Sequence, residues 1–536
     1  MSTGAEAVAT AIEQGGVQVC FGLPGVHNLA LWDALRTSPV RLVGVRHEQT
    51  AAYAADGLAR ATGRVGVALT TTGPGAANTL GAVGEAWASR TPLLVLATDI
   101  ATTLRRPGMH RGALHETTDQ AAMFAPVTAA RRVVEAGEDL GAAVRDALAQ
   151  ATAVRRPVYL GVPTDLLSGP ARSGSAKDRE LPPRRAEPPA SVSGLAELLA
   201  GAQRPLVWAG SGAVGLADDV GELAERLCAP VLTTWGARGL LPPAHPCLVG
   251  MPPHVEPAGR LWDEADLVIA IGSDLDGLNT QNWAMPQPPR LIAVNTDPQD
   301  ATKSYRADLI LADLGPLLQA APRGRDPEAL AQRLREVRRE VCAGLDPDAL
   351  RFLDAIAYGV PVEAVIVADM CIPGYWIAGF HSFARPRALQ YPMGWGTLGY
   401  AFPAGLGAAL VGPGPVVSVS GDGGFLFACG ELATMAQEKI PLTAVIVDDG
   451  GYGMLRFDQD RVGAQRFGVD LASPDFAALA RAFGVRAETV HDLSDGFGEA
   501  LARHVADPGP SVLVARAPSL EPPPTTSPRW YRAGRG

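Results

Sequence analysis

The chain has 536 residues, of which 47% are hydrophobic and 19% are charged, and its formal net charge at pH 7 is −10. This length is too great for one hydrophobic core, so about three domains are expected. The acidic balance offers no basic surface to nucleic acid, and no apolar run reaches the length of a membrane span. The six cysteines have no metal-type spacing, and the N-terminal segment has no signal-peptide core. We therefore expect a cytoplasmic protein with reduced cysteines and no nucleic-acid or membrane partner.

The first part of the chain, residues 1–170, alternates between helical and strand-like patterns. The predicted elements are, in order, a helix over 4–15, a strand over 17–21, a strand over 42–45, a helix over 50–62 and a strand over 65–70. Alternation of this kind predicts a parallel sheet with helices on both faces. Residues 1–170 are therefore predicted to form one α/β domain.

A polar, proline-rich stretch from Leu167 to about Ala190 predicts a linker after this domain. The later segments are predicted as a second domain over 186–322 with strands at 205–208, 267–271 and 291–294, a charged helix over 327–341, a third domain over 345–520, and a proline-rich tail over 521–536. The expected fold class is α/β, with three doubly wound parallel-sheet domains.

The third domain contains two acidic, glycine-rich turns, each after an apolar strand. A strand at 416–419 runs into Gly421-Asp422-Gly423-Gly424, and a strand at 442–447 runs into Asp448-Asp449-Gly450-Gly451, with a helical segment between them. Open parallel sheets bind ligands at the carboxyl ends of their strands, so both acids are expected at one edge. Two carboxylates beside a glycine-rich nest suit Mg²⁺ bridging a diphosphate. A simple turn followed by a solvated loop is the alternative, and the paired arrangement disfavours it.

This arrangement resembles the thiamine diphosphate (ThDP) enzymes of the acetolactate synthase and 2-oxo acid decarboxylase family, which carry Gly-Asp-Gly, a spacer of this length and Asn-Asn. The resemblance implies metal ligands at Asp422, Asp449 and the backbone carbonyl of Gly451. It also implies cofactor contacts at Gly421, Gly423, Gly424 and Tyr452. The chain departs from the family in having Asp448-Asp449 in place of Asn-Asn, which lowers the positive charge offered to the diphosphate.

The segment Gly394-Trp395-Gly396-Thr397-Leu398-Gly399-Tyr400 resembles the family's Gly-x-Gly-Thr-Met-Gly-Phe. The resemblance implies that Gly396 contacts the cofactor and that Leu398 props it in a V-shaped conformation. Ordinary core packing is the alternative role for Leu398.

Glu48 follows the strand at 42–45 in the segment VRHEQTAAYAADGLARATG, which is followed by GPGAANTL. An acid at a strand–helix junction is commonly a helix cap, and that is the alternative here. The segment resembles the first domain of the ThDP family, in which this glutamate hydrogen-bonds the aminopyrimidine ring and promotes removal of the thiazolium C2 proton. The resemblance therefore implies a catalytic and cofactor-binding role for Glu48.

Other positions bear on the type of reaction. Leu114-His115-Glu116 stands where acetolactate synthases have Phe-Gln-Glu, and it resembles decarboxylases that act on longer 2-oxo acids. His115 is a candidate catalytic proton carrier, with a structural histidine as the alternative. Val26, with His27 beside it, and Leu455 stand where yeast-type pyruvate decarboxylases place proton-relay acids. The absence of these two acids disfavours a pyruvate decarboxylase of the yeast type.

The resemblance covers roughly residues 1–520 and implies ThDP- and Mg²⁺-dependent decarboxylation of a 2-oxo acid, after which the enamine is protonated or joined to a second carbonyl compound. Acetolactate synthase proper is one alternative, and a non-catalytic or regulatory relative with weakened ThDP binding is another. The resemblance also implies a homodimer or homotetramer with its active site at the subunit interface. We expect no FAD, because Asp274 and Asp276 lie where acetolactate synthases place a flavin-binding arginine.

Overall fold

A computed structural model describes residues 2–106, 108–172, 194–322, 326–412 and 414–526. These residues form three separate parallel sheets, which confirms the expected fold class. Most of the predicted linker, 173–190, and most of the predicted tail, 527–536, lie outside the described residues. No helix in the described ranges is long and apolar enough to cross a membrane.

The first sheet is formed by the N-terminal part of the chain. Its strands are β1 (Val19–Gly22), β2 (Arg41–Gly44), β3 (Gly66–Thr70), β4 (Leu93–Asp99), β5 (Ala130–Val133) and β6 (Val158–Pro163), and its helices are α1 (Gly4–Gln14), α2 (Leu29–Arg36), α3 (Glu48–Thr62), α4 (Pro74–Ala77), α5 (Leu80–Ala88), α6 (Leu140–Val154) and α7 (Thr164–Ser168). The strand order is β2-β1-β3-β4-β6-β5. The winding reverses between β1 and β3, and such a switch point is where open sheets bind ligands.

The second sheet is smaller and is formed by the middle of the chain. Its strands are β7 (Pro205–Ala209), β8 (Val231–Thr233), β9 (Leu267–Ile271), β10 (Leu291–Val294) and β11 (Leu309–Leu311), and its helices are α8 (Leu195–Gly201), α9 (Ala217–Leu227), α10 (Glu256–Asp263), α11 (Pro298–Thr302) and α12 (Gly315–Ala320). The strand order is β11-β10-β9-β7-β8. The observed β9 and β10 have the same bounds as the predicted strands at 267–271 and 291–294.

The third sheet follows a connecting helix, α13 (Glu328–Ala343). Its strands are β12 (Val365–Ala368), β13 (Leu389–Gln390), β14 (Val416–Gly421), β15 (Leu442–Asp448), β16 (Arg486–Val490) and β17 (Ser511–Arg516), and its helices are α14 (Pro347–Gly359), α15 (Ile372–Phe380), α16 (Ala401–Val411), α17 (Asp422–Leu426), α18 (Leu432–Gln437), α19 (Gly453–Arg461), α20 (Phe476–Ala482) and α21 (Asp495–Ala506). The strand order, β13-β12-β14-β15-β17-β16, repeats that of the first sheet strand for strand.

Short 3-10 helices lie between these elements, at Ala121–Val127, Ser211–Leu216, Trp235–Ala237, Cys429–Glu431 and Pro524–Thr526. The alternative of a simple turn after β14 does not hold, because the glycine-rich segment is helical from Asp422 onward. Gly421 is extended, with φ −74° and ψ 161°, and α17 begins at the next residue. Asp422 therefore remains directly at the end of its strand.

The first and third domains meet through helices α3 and α16, which approach each other closely enough for backbone contact. A Cβ atom added at Gly57 would collide with the carbonyl group of Ala404, and one added at Gly407 would collide with that of Ala54. Protein interiors are close-packed, so two helices can lie this near only where a side chain is missing. Glycine at these two positions is required by helix packing and not by a turn.

A buried charge network holds the same interface together. Arg60 Nε lies 2.7 Å from Asp56 Oδ2, and Arg60 Nη2 lies 3.0 Å from Glu85 Oε1, with both acidic side chains fully buried. Glu85 also accepts hydrogen bonds from the backbone N–H groups of Gly394, at 3.2 Å, and Trp395, at 2.8 Å. The network therefore fixes the loop after β13 against the first domain.

We expect Glu85→Ala to lower the free energy of unfolding by about 3–5 kcal/mol, because it removes the acceptor of Arg60 Nη2 and of two loop amides from a buried network. Glu13→Ala removes an exposed carboxylate from α1 and should change the same quantity by less than about 0.5 kcal/mol. Chemical denaturation followed by circular dichroism measures both variants. Equal stability of Glu85→Ala and the wild type would contradict the role given to this network.

Candidate active site

Three acids lie at the carboxyl edge of the third sheet. β14 and β15 are neighbouring parallel strands, in which Gly421 pairs with Val447. Asp422 and Asp448 therefore follow at the same level, and Asp449 lies one residue further along. Asp422 is 1% exposed and Asp448 is 5% exposed. The sheet thus brings the acids predicted from the sequence to one edge, where Asp422 and Asp448 are buried and Asp449 is half-buried.

Asp422 is held from both sides. Its Oδ1 accepts a hydrogen bond from the Gly423 N–H at 2.8 Å, and its Oδ2 accepts one from the Ser473 hydroxyl at 3.0 Å. Burial, together with the nearby Asp449 and Asp448 carboxylates, raises the pKa of Asp422 to about 6. Carboxylates that oppose one another's ionisation in this way favour a bound cation, which removes the repulsion.

Each aspartate after β15 is paired with its own arginine. Arg516 Nε donates to Asp448 Oδ2 at 3.0 Å. Arg456 Nη2 donates to Asp449 Oδ1 at 2.6 Å and to the Asp449 backbone carbonyl at 3.0 Å. Burial raises the pKa of Asp449, and hydrogen bonds from Ser519 and Arg456 oppose that rise. The extra negative charge of the Asp448-Asp449 pair is therefore balanced within the chain.

The turn after Asp449 depends on glycine. Gly450 has φ 83° and Gly451 has φ 155°, backbone conformations that side chains disfavour. The Tyr452 N–H donates to the Val469 carbonyl at 2.8 Å. A Cβ atom at Gly423 would lie 2.5 Å from the Tyr452 ring. Tyr452 therefore packs directly on the segment that carries Asp422.

The loop after β13 reaches the same edge. Asp369 follows β12, and its Oδ2 accepts a hydrogen bond from the Gly399 N–H at 3.1 Å. Burial raises the pKa of Asp369 to about 6. A Cβ atom at Gly424 would lie 3.0 Å from the same Oδ2. This loop contains Gly396, with φ 69°, and the half-buried Leu398, so both lie near the acidic edge.

Glu48 is the first residue of α3 and is 6% exposed. Its Oε2 accepts a hydrogen bond from Asn78 Nδ2 at 2.9 Å. A Cβ atom at Gly75 would lie 3.2 Å from Oε1, so glycine keeps this side of the carboxylate open. The N-cap of α3 is His47, whose side chain accepts the Gln49 N–H. Glu48 is therefore not the capping residue that the sequence left as an alternative.

His115 and His27 form an edge-to-face pair with ring centroids 5.2 Å apart. His115 has φ 64°, a left-handed conformation that is uncommon for a residue with a Cβ atom. Neither Nδ1 atom has a hydrogen-bond partner among the described residues. Burial lowers the pKa of His27, and nearby His115 lowers it as well, whereas Asp99 opposes the change.

Within one chain, the predicted residues form two groups. His27 and His115 lie in loops that follow strands of the first sheet, and Glu48 begins α3 after β2. We call this group the histidine edge. Asp422, Asp449 and the glycines around them form the acidic edge of the third sheet. No hydrogen bond or ion pair between described residues joins the two groups.

Four polar residues of these edges were missed by sequence reasoning: Arg456, Arg516, Ser473 and Asn78. Arg456 lies on α19, shortly after Asp449, and this spacing could have suggested the pair. Arg516 lies opposite Asp448 in the register of β17 with β15. This contact depends on the strand order, so no local sequence pattern indicates it.

The two acids considered in the middle domain have partners of their own. Lys303 Nζ donates to Asp274 Oδ2 at 2.6 Å. Asp276 accepts hydrogen bonds from the side chain and the backbone N–H of Asn279. The expectation that this domain holds no FAD stays a prediction.

Family models of the thiamine pyrophosphate enzymes match the chain in three places. The N-terminal TPP binding domain matches residues 2–123, the central domain matches residues 192–321, and the C-terminal TPP binding domain matches residues 369–515. The chain belongs to the ThDP-dependent enzyme family.

Relatives with recorded activities span nearly the whole chain. A probable 2-ketoarginine decarboxylase, AruI, from Pseudomonas aeruginosa is 36% identical over 519 residues, which cover 93% of this chain and 92% of that protein. A probable acetolactate synthase large subunit from Methanocaldococcus jannaschii is 32% identical, with 91% and 87% covered. The acetolactate synthase isozyme 1 large subunit of Escherichia coli is 28% identical, with 97% and 94% covered. The chain is thus a ThDP-dependent enzyme of the group that contains 2-oxo acid decarboxylases and carboligases.

Proposed function

We propose that this protein binds ThDP through Mg²⁺ and decarboxylates a 2-oxo acid with a long, cationic side chain. The observation that carries the proposal is the pair of carboxylates, Asp422 and Asp449, at the ends of adjacent strands in a chain of the ThDP family. The histidine edge supplies the groups that handle protons.

The acidic edge fits a divalent cation and a diphosphate. Asp422 and Asp449 offer carboxylate oxygens, and Gly451 offers a backbone carbonyl, which are the ligand types that Mg²⁺ prefers. Gly421, Gly423 and Gly424 carry no side chains that would block a diphosphate. Tyr452, Gly396 and Leu398 border the same edge and would complete the cofactor contacts.

Arg456 gives this site its charge balance. Mg²⁺ with two aspartates has no net charge, whereas Mg²⁺ with one aspartate and one asparagine keeps one positive charge for the diphosphate. Arg456 lies 2.6 Å from Asp449 Oδ1 and adds the missing positive charge. The Arg456–Asp449 pair therefore acts as the electrostatic equivalent of the asparagine that the family usually has.

We expect Arg456→Gln to weaken Mg²⁺-dependent ThDP binding about tenfold, because Asp449 then lowers the charge of the site without compensation. Asp449→Asn in the same chain should recover most of the loss, since the neutral pair again leaves the metal with one positive charge. Calorimetric titration of metal-stripped protein, with and without Mg²⁺, measures the dissociation constants. If the two substitutions changed the ThDP dissociation constant independently of each other, Arg456 would not compensate for the charge of Asp449.

Glu48 is placed to exchange a proton with the cofactor. Asn78 occupies Oε2 and fixes the carboxylate, while Oε1 lies on the side that Gly75 leaves open. When bound, ThDP supplies the electron sink that allows a 2-oxo acid to lose CO₂. Glu48 would hold the proton that the aminopyrimidine ring needs, with Oε1 as the oxygen that carries it.

The histidine pair is the candidate for returning a proton to the product. His115 lies in the loop after β4, and His27 lies beside it at 5.2 Å between ring centroids. Two neighbouring imidazoles whose Nδ1 atoms have no hydrogen-bond partner among the described residues can accept and donate protons. His115 is the proton donor in this proposal, and His27 positions it.

The surroundings of the pair favour a cationic substrate. Asp99 lies close enough to His27 to influence its pKa. The Asp99 carboxylate could pair with a guanidinium group, which suits planar acids. A relative that is 36% identical to this chain is a probable 2-ketoarginine decarboxylase. We therefore take 2-ketoarginine as the first candidate substrate.

We expect CO₂ release from 2-ketoarginine with a kcat/KM at least about tenfold higher than from 2-oxohexanoate, which has a similar length and no guanidinium group. Glu48→Gln should lower kcat by about 10²–10⁴, and His115→Asn by about 10², since each removes a proton-transfer group. A coupled CO₂ assay with product analysis measures these values.

Other outcomes of that assay separate the alternatives. Conversion of pyruvate to acetolactate, without use of 2-ketoarginine, would replace the proposal by acetolactate synthase activity. Tight ThDP binding without CO₂ release from any 2-oxo acid, or no ThDP binding at all, would indicate the non-catalytic relative.

We further propose that two copies of the chain complete the active site, as the family resemblance implies. Both edges expose large apolar side chains that a second copy would cover. These are Val26, Leu29 and Leu114 at the histidine edge, which are 54–63% exposed, and Trp395, Phe427 and Leu455 at the acidic edge, which are 50–57% exposed. Exposed apolar patches of this kind mark interaction sites.

Co-expression of Glu48→Gln with Asp422→Asn tests this shared site. Each variant alone should be nearly inactive, whereas random assortment into dimers should restore about one quarter of the wild-type sites, because one site of each mixed dimer has both native groups. Decarboxylase activity of the purified mixture gives the answer. A mixture as inactive as its components would show that each site belongs to one chain.

A further inference from the structure

A buried acid of the third domain contacts the segment that precedes Glu48. Glu431 is the last residue of the 3-10 helix at Cys429–Glu431, and it is 1% exposed. Its Oε1 accepts hydrogen bonds from the backbone N–H groups of Arg46, at 2.9 Å, and His47, at 3.0 Å. These two residues come directly before Glu48 in the sequence. A carboxylate of the third domain therefore binds the chain where it enters α3.

The N–H groups at the start of α3 need acceptors from outside the helix. The first N–H groups of any helix have no carbonyl partner within it, and the helix dipole stabilises a carboxylate beside them. His47 is the N-cap of α3, and its ring accepts the Gln49 N–H. Glu431 completes this arrangement one step earlier, at the N–H groups of Arg46 and His47. The position at which α3 begins is thus fixed from two sides.

The Glu431 carboxylate is itself held in one orientation. Thr434, which is fully buried, donates its hydroxyl to Glu431 Oε2 at 2.6 Å. The other oxygen, Oε1, faces the two N–H groups before Glu48. Burial raises the pKa of Glu431, and the hydrogen bonds from Thr434 and from the two N–H groups oppose that rise. With contacts to both oxygens, the carboxylate has little freedom to turn.

The alternative is that Glu431 only joins the third domain to the first. Another acid of the same interface already does this, since Arg41 Nη2 donates to Glu438 Oε2 at 3.0 Å. That contact joins two side chains. Glu431 differs because its partners are backbone N–H groups, whose positions determine where the next residue, Glu48, is placed. The Glu431 contact therefore bears on the Glu48 carboxylate in a way that a side-chain ion pair does not.

We propose that Glu431 is a positioning residue for Glu48, an inference that rests on the proton-transfer role proposed for Glu48 above. By holding the two N–H groups, Glu431 sets the start of α3 and so the direction in which the Glu48 side chain leaves the helix. Asn78 then holds Oε2 of Glu48, and Oε1 remains on the open side at Gly75. A residue of the third domain thus supports the first-domain part of the active site in the same chain.

Two substitutions separate the reach of the Glu431 carboxylate from its charge. Glu431→Asp keeps the charge and withdraws the carboxylate by about 1.5 Å, so kcat should fall by about 10². The ThDP dissociation constant should stay nearly unchanged, because the acidic edge keeps its ligands. Glu431→Gln keeps an oxygen at the original reach and should lower kcat by less than about tenfold. Glu438→Asp, the matched control at the same interface, should leave kcat unchanged. Full activity of Glu431→Asp, or an equal loss in Glu431→Gln, would overturn the proposal.

Co-expression shows which part of the active site depends on Glu431. Mixed dimers of Glu431→Asp with Asp422→Asn should recover about one quarter of the wild-type sites, because one chain contributes a correctly placed Glu48 and the other a native Asp422. Mixed dimers of Glu431→Asp with Glu48→Gln should stay as inactive as their components, since no chain then contributes a working Glu48. The opposite pattern would show that Glu431 serves the acidic edge and would overturn the proposal.

Amide hydrogen exchange of the cofactor-free protein tests the contact without any assay of activity. The N–H groups of Arg46 and His47 should exchange at least about tenfold faster in Glu431→Asp than in the wild type, whereas Glu438→Asp should leave them unchanged. Equal exchange in Glu431→Asp and the wild type would overturn the proposal. Faster exchange in a protein whose Glu48→Gln variant is fully active would instead refute the proton-transfer role of Glu48, so the two failures are distinguishable.

Discussion

All strands of each sheet run in the same direction, and the position of every candidate functional group depends on that constraint. Parallel strands end at a common edge, so residues distant in the chain meet there once the sheet forms. In the third sheet this rule brings Asp369, Asp422 and Asp448 together. In the first sheet, which has the same strand order, it brings Glu48 and the two histidines to the corresponding edge. One topology used twice thus produces two sheet edges that carry different polar groups.

Helices α3 and α16 pack against each other and fix the positions of these two edges relative to one another within the chain. The backbones of the two helices touch at Gly57 and Gly407, so the helices are closely packed there. The Arg60 network binds the loop that contains Gly396 and Leu398 to the first domain. Both edges lie at the surface of the chain, and exposed apolar side chains surround each of them. A second copy of the chain is the partner that could cover both edges by the same symmetric contact.

Charge pairing differs between two regions of the chain. At the acidic edge, Arg456 pairs with Asp449 and Arg516 pairs with Asp448, so the charges of the two aspartates are balanced within the chain. Between the middle and third domains, Arg238 has no such partner in the described ranges. Burying a charge is costly unless polar groups surround it. Carboxylates meet this need for Arg456 and Arg516, whereas the His381 and Gly250 carbonyl oxygens meet part of it for Arg238.

The sequence by itself determined the α/β class, the three parallel sheets and the placing of Asp422 and Asp449 after adjacent strands, because alternating apolar runs and glycine turns are local patterns with a known geometric result. It also singled out Glu48 and His115, through the family resemblance. Only the tertiary structure decided that Arg516 pairs with Asp448, that His27 lies against His115, and that the buried Arg238 forms no ion pair with a described acid. These contacts join residues far apart in the chain, and they depend on strand order and loop packing, which no local pattern encodes.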